Sequence, residues 1–310
     1  DNSSYCSADG NYSVAMGYNT NADGDYSTAM GENTTANGDY STAMGYYTQA
    51  SGYYSTAMGY NTDAGGWYST AMGYNTYAGG TGSTAMGENT YAGGDYSTAM
   101  GENTQASGDY STAMGENTQA SGYVSTAMGE YTTASDYGSL VIGQYNSSGS
   151  SATSATAFST ANTAFVIGNG TDSSNTSDAF KVMFNGDATV GNDLTVEGDV
   201  VINSDMRLKA NILSLGSTLY KLLQIDGKTY TMKRDATKKQ KIGVLAQDIE
   251  KVFPELVVEN KGVKSVNYQG LVPVLINALK EQDGKMKEQE RKYLEQEKRL
   301  ERLEAIISNM

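Results

Sequence analysis

Across residues 5–145 the polar and apolar positions repeat with a period of 14. Met recurs at Met16, Met30, Met44, Met58, Met72, Met86, Met100, Met114 and Met128, and Ile142 takes the tenth place. Gly17 through Gly143, Ser13 through Ser139, Thr20 through Thr132 and Ala8 through Ala134 keep the same phase. The unit reads roughly Tyr-Ser-Thr-Ala-Met-Gly-x-Asn-Thr-x-Ala-x-Gly-Asp. A short strict period with two extended pieces, each ended by a Gly or Asx turn, predicts one coil of a β-solenoid. Alternation along the longer piece puts Ser27, Ala29 and Gly31 on one face, and Thr28 and Met30 on the other. The small face suits the inside of a very narrow coil, which leaves Thr and Met outside. Ten coils at about 4.8 Å each would stack to roughly 50 Å. An exposed column of methionines is a poor end state for a lone soluble chain. Packing three such stripes around an axis buries them, so a homotrimer is expected.

The pattern then changes. Residues 146–178 are rich in Ser, Thr, Asn and Ala and read as an irregular neck, with a stray echo of the repeat at Phe165-Val166-Ile167-Gly168. Residues 179–203 alternate short apolar pieces (Ala179–Phe184, Ala188–Val190, Leu194–Val196, Val200–Ile202) with Asn-Gly, Gly-Asn and Glu-Gly breaks. These predict short strands, too small to bury much alone, and hence a three-chain β-prism-like connector. From 274 to 310 a heptad seam runs through Leu279, Met286, Tyr293, Leu300 and Ile307, with Leu275, Gln282, Gln289, Gln296, Leu303 and Met310 on its second edge. That pattern predicts a trimeric coiled coil with three Gln layers that fix register, and Gly284 is expected to break or loosen the helix. The fold class is therefore mainly β with an α-helical C-terminus: a roll over 1–145, a neck over 146–178, a connector over 179–203, and an α+β region over 204–310.

Composition sharpens the boundary at 204. Of the 21 Lys and Arg, all but Lys181 lie in residues 204–310, and the 35 acids divide 20 to the front and 15 to the tail. The front is thus at −19 and the tail at +5, two differently built modules. So acidic a front excludes nucleic acid as its partner. The chain has no His, which removes imidazole acid–base chemistry, Ser-His-Asp triads and His-ligated metal sites. Cys6 is the only cysteine, so no intrachain disulfide or thiolate cluster forms, and it reads as a tolerated small residue near a frayed end. No cofactor or metal is expected. No apolar run approaches a membrane span, and no signal-like segment follows Asp1, consistent with numbering that starts inside a longer polypeptide. Only five Leu, Ile, Val or Phe occur in residues 1–143, a composition close to disorder, which the unbroken period overrides.

Two resemblances follow. The repeat resembles the YadA-like head of trimeric autotransporter adhesins, most closely at Ser13-Val14-Ala15-Met16-Gly17 and Ser139-Leu140-Val141-Ile142-Gly143. It implies a left-handed parallel β-roll over about residues 5–145. The stretch beginning Ser204-Asp205-Met206-Arg207-Leu208-Lys209 resembles the intramolecular chaperone that ends endosialidases and many phage tail fibres and spikes. The likeness continues through Ile242–Glu250, Phe253–Val257 and Tyr268–Pro273. It implies a single-turnover autoprotease with Ser204 as nucleophile and Lys209 as base, cutting the Asn203–Ser204 bond. A lysine dried by assembly can lose its proton and serve as that base. Asp205 is expected to orient backbone or pair with Arg207.

The expected function is a homotrimeric extracellular fibre or adhesin segment, on a virion or a cell surface, whose C-terminal domain directs trimer folding and is then released. Tyrosine is the repeated surface signal, with 20 of 24 in residues 1–145. Tyr12, Tyr26, Tyr40, Tyr54, Tyr68, Tyr96 and Tyr110 share one register; Tyr18, Tyr46, Tyr60 and Tyr74 share another. They read either as a stacked ladder or as a contact surface for a host glycan or protein receptor. The alternatives are a passive spacer, an ice-binding face on the Thr20–Thr132 column (otherwise a solvated strand face), and a glycan-cleaving enzyme. For the last, Asp23, Asp25, Glu32 and Asp63 drift between registers and form no carboxylate pair.

Overall fold

The computed structural model describes residues 6–233, 235–260 and 262–308. Contacts divide the chain into two compact units, one ending at Asp199 and the other starting at Val200.

Each coil of the first unit has a five-residue strand and a two-residue strand, as in Thr28–Glu32 and Thr35–Ala36. The long strands stack parallel and in register from Val14–Tyr18 to Leu140–Gln144, with Ala29 opposite Ala43 and Met30 opposite Met44. The short strands form a second parallel sheet from Asn21–Ala22 to Thr133–Ala134. The interior holds one Thr, two Ala and one Ser per coil: Thr34, Ala36, Ser41 and Ala43 are each 0 % exposed. The Ser and Ala of the long strand lie inside as the alternation predicts, with Thr28 and Met30 half-buried outside.

The Thr20–Thr132 column lies inside as well, which corrects its reading as a solvated or ice-binding face. A two-residue strand offers no alternation from which to read its facing, and the residue before it turns inward at the corner. Most of these buried hydroxyls, such as those of Thr34, Thr76 and Ser97, have no hydrogen-bond partner.

Both corners of each coil use the left-handed region. One is held by Asn19, Asn33 and their successors at φ near +50° to +54°, a conformation Asn tolerates. The other is held chiefly by tyrosine, from Tyr12 to Tyr110, at φ +54° to +60°, rather than by Gly or Asx as expected. Gly31 of the Met-Gly pair sits at φ +131°, and a Cβ there would stand 1.9 Å from the Gly45 carbonyl oxygen. Only Gly permits this stacking distance.

Phe165–Gly168 is no stray echo within an irregular neck. Thr163–Asn169 adds an eleventh rung, with Phe165 opposite Leu140 and Ile167 opposite Ile142. The chain then reverses: Asp178–Met183 and Ala188–Val190 pair antiparallel along the same sheet. The crossing segment is fastened by a buried carboxylate, because Asp136 accepts the N–H groups of Thr153 (2.6 Å), Ser154 (3.3 Å) and Thr163 (2.8 Å). Leu194–Val196 and Val200–Ile202 are not strands; they stand exposed, with Val201 at 85 %, because nothing among the described residues pairs with them.

In the second unit, α1 (Leu219–Leu222), α2 (Ala246–Val252) and α3 (Leu271–Ser308) join two hairpins, Lys228–Thr231 with Gln240–Gly243 and Val257–Asn260 with Val263–Val266. Ile249, Val252, Phe253 and Val274 form its small core, with Leu222, Ile225 and Leu256 packed against it. The 38-residue α3 runs through Gly284 without a break, against expectation. One glycine costs about 1 kcal/mol relative to Ala, which the strong helix formers Glu281, Gln282, Lys285 and Met286 around it outweigh.

Candidate functional site

Ser204 and Lys209 are brought together by a single tight turn. Asp205 caps the short 3-10 helix Met206–Leu208: its carboxylate accepts the Arg207 N–H at 2.8 Å, and the Lys209 N–H returns to the Met206 carbonyl. The turn folds residue 209 back over residue 204, and Lys209 Nζ donates to Ser204 Oγ at 2.6 Å. The Arg207 guanidinium grips the Asp205 carboxylate through Nε (3.1 Å) and Nη2 (2.6 Å). That pairing holds the Asp205 carboxyl below its ordinary range and raises Arg207. Asp205 thus faces backbone and Arg207, away from the Ser–Lys contact.

All of residues 203–209 are exposed in the single chain, so the dry surroundings expected for a neutral lysine are not provided by the chain alone. Apolar side chains nevertheless crowd the segment: Met206 and Leu208 are 72 % and 71 % exposed, followed by Ile212, Leu213 and Leu215. The stretch after them is anchored to α3. Glu281 accepts from Ser217 Oγ (2.7 Å) and from the N–H groups of Thr218 and Leu219, closing the N-terminus of α1. Thr218 Oγ1 donates to the Val274 carbonyl, and Asn277 reaches Gly216. These fastenings join residues 56 to 64 apart in sequence and had no signature a motif search could use.

The heptad positions lie along α3 with their side chains in solvent. Leu275, Leu279, Met286, Tyr293, Leu300, Leu303 and Ile307 are 45–71 % exposed, and Gln282, Gln289 and Gln296 are exposed between them. Met310 lies outside the described residues. On the roll, Met30 through Met128 and Ile142 form a half-buried stripe, and the terminal Met16 is 58 % exposed.

The tyrosines stack. Tyr12, Tyr26, Tyr40, Tyr54 and Tyr68 form one unbroken column with ring centroids 4.6–5.5 Å apart, and Tyr46, Tyr60 and Tyr74 a second. Tyr18 stands in the second register but is followed by Glu32. A hydrogen bond with Tyr54, and then burial among its neighbours, pushes the Tyr53 phenol up to about 12. The roll's acids have structural work: Asp25, Asp39, Asp95 and Asp109 each accept a backbone N–H from the preceding coil at 2.7–3.0 Å. Cys6 occupies the Thr column and accepts from Thr20 Oγ1 at 3.0 Å, which lowers its thiol. Among the described residues no cluster of acids and Cys could hold a metal ion, and no helix is long and apolar enough to cross a membrane.

Comparison with known proteins divides the chain at the same places. Residues 204–258 match the family described as chaperone of endosialidase. Over 92 residues the chain is 32 % identical to the long tail fiber protein Gp37 of Escherichia phage AR1, a match covering 27 % of this chain and 8 % of that relative. The chain therefore spans only a small part of that protein's length. Residues 8–146 match the family described as YadA head domain repeat in nine overlapping windows. The chain is thus similar to YadA head repeats over residues 8–146 and to the endosialidase chaperone over residues 204–258.

Proposed function

We propose that this chain is a segment of a homotrimeric extracellular fibre, virion-borne or on a cell surface. In this reading residues 204–310 align three chains and then detach by cutting the Asn203–Ser204 bond. The observation that carries it is the 2.6 Å contact between Lys209 Nζ and Ser204 Oγ, made by a turn immediately beside that bond. Ser204 Oγ attacks the Asn203 carbonyl carbon while Lys209, once neutral, takes the hydroxyl proton. The C–N bond breaks, the proton passes to the departing Ser204 amine, and Asn203 is left as an ester on Ser204 Oγ. Water then hydrolyses the ester, leaving an Asn203 carboxylate and a free Ser204. Neutral lysine requires a dry site. The exposed Met206, Leu208, Ile212 and Leu213 are the surfaces that packing of three chains would use to exclude water from it, so cleavage would follow assembly.

Mass analysis tests this reading. Wild type should release the 107-residue fragment 204–310. Ser204→Ala and Lys209→Arg, whose guanidinium stays protonated, should remain intact yet trimeric. An intact wild-type trimer would overturn the protease assignment and leave the chaperone assignment standing.

For the roll, contact between the Tyr-rich surface and a host receptor is the first reading. A passive spacer is the second, favoured by the stacking itself, since tyrosines whose faces cover one another offer a ligand mainly their edges.

A further inference from the structure

The Ser204–Lys209 contact is made beside an anion. Asp205 directly follows the nucleophile, and Lys209 stands four residues beyond it across the same turn. A lysine so placed has two acceptors within its turn, a carboxylate and a hydroxyl. The carboxylate is the wrong one for catalysis, because an opposite charge at close range favours the ammonium form, whereas a general base must be neutral. Drying the site does not remove the conflict. Loss of water disfavours an isolated ammonium, but it also strengthens the pull of a neighbouring carboxylate.

A third residue removes it. Arg207 Nε lies 3.1 Å from both Asp205 oxygens, and Arg207 Nη2 lies 2.6 Å from Oδ2. The Arg207 backbone N–H also donates to Oδ1, at 2.8 Å. One residue thus occupies both carboxylate oxygens, and Lys209 Nζ donates to Ser204 Oγ instead. Among the described residues Lys209 forms no ion pair, and the other charged groups of its turn are Asp205 and Arg207. Residues 203–209 are all exposed, so no charge from another element is buried against them in one chain. A guanidinium suits this task on two counts. Its planar fork matches a carboxylate, and it stays protonated at any pH where a lysine turns neutral.

We propose that Arg207 is a positioning residue for autocleavage: by gripping Asp205 it withholds the carboxylate from Lys209 and leaves the amine to Ser204. The inference rests on the autoprotease reading above and deepens it, since it names what keeps that site fit for a neutral base. Asp205 and Arg207 then form an inner pair without net charge, enclosed by the reacting pair Ser204 and Lys209. Asp205 keeps its other task as well, capping the turn that folds Lys209 back over the nucleophile.

The pH profile of cleavage tests this. The full-length chain is assembled at about pH 5, where lysine stays charged, and the trimer is confirmed by sedimentation. Release of fragment 204–310 is then timed by mass analysis after transfer to buffers from about pH 6 to about pH 10. The wild-type rate should climb with pH to a plateau. Arg207→Gln frees the carboxylate, so the midpoint of that climb should move up by about one pH unit, with cleavage below it about tenfold slower. Combining Arg207→Gln with Asp205→Asn removes the anion while keeping a capping side chain, and should bring the midpoint back toward wild type. Arg207→Ala stands in should Arg207→Gln fail to assemble, with the same shift expected. A rate lowered equally at every pH, with the midpoint unmoved, would mean that Arg207 only stiffens the turn; it would overturn the inference and leave the Ser–Lys protease. A raised midpoint that persists in the double variant would also overturn it, since the carboxylate would not be the cause. A wild-type trimer that stays intact at every pH would overturn the protease reading itself, and the inference with it.

Discussion

At the scale of single residues the roll is governed by what fits inside it. Ala85 is 0 % exposed in an interior of small residues, so Ala85→Leu should cost about 1–3 kcal/mol through overpacking, read as a lower melting midpoint. Thr76 makes the opposite case. Its buried hydroxyl has no partner, so Thr76→Val keeps the shape, removes an unpaired polar group, and should leave the midpoint unchanged or raise it. The inward face of the long strand was legible because five residues are enough to show alternation. The Thr column was not, since its residues stand at a corner ahead of a two-residue strand. Nor was Asp136 legible: it takes the place of a repeat glycine, and its role depends on N–H groups 17 to 27 residues downstream.

At the scale of elements, the ladders and α3 show how repetition offsets local penalties. A tyrosine in the left-handed corner is strained, yet each ring gains a stacked neighbour worth about 0.5–1.5 kcal/mol. The ladder ties stability to alkaline pH. Tyr53 keeps its proton in the fold up to about 12, against an ordinary value of 10, so its contribution is complete below pH 10 and is lost as pH rises from 10 to 12. The midpoint should fall over that window in step with tyrosinate absorbance, and less steeply in Tyr53→Phe. Glu281 has the opposite sign. Its partners, Ser217 Oγ first, depress its carboxyl, so the fastening of α1 to α3 is present at neutral pH and fades as acid drops below the usual Glu range. Glu281→Ala should lower the midpoint of the C-terminal unit at neutral pH and flatten its acid limb. The heptad pattern made α3 legible, but the survival of the helix across Gly284 depends on the sum of its flanks rather than on any one residue. Gly284→Ala should therefore raise its stability by about 1 kcal/mol without changing its length.

At the scale of the whole molecule, two apolar rows remain without a partner in one chain: the α3 seam and the Met stripe. Their separate placement is what makes the trimer reading testable. Leu300→Glu should shift the protein from trimer to monomer in sedimentation, and should also abolish release of the 204–310 fragment if assembly dries Lys209. Gln289→Leu should strengthen association while loosening its specificity for three strands. The segment Leu194–Ile202 was expected to pair as strands and does not do so alone. Sequence shows which residues are ready to pair, but the pairing depends on what else is present. The change of pattern at Ser204 was legible because charge, periodicity and family resemblance all change there. The surroundings of the Ser204–Lys209 contact were not, because residues 203–209 lie exposed in one chain and no motif encodes what would pack against them.

The in-register stacking of coils has a further consequence. Each coil sets every strand residue opposite its counterpart 14 positions on, so residue number modulo 14 gives the place within the coil and the quotient gives the height. The roll is then an addressed lattice. Any surface feature could be moved to another height by transplanting one coil, and the roll could be lengthened or shortened in whole coils while keeping the same in-register pairing.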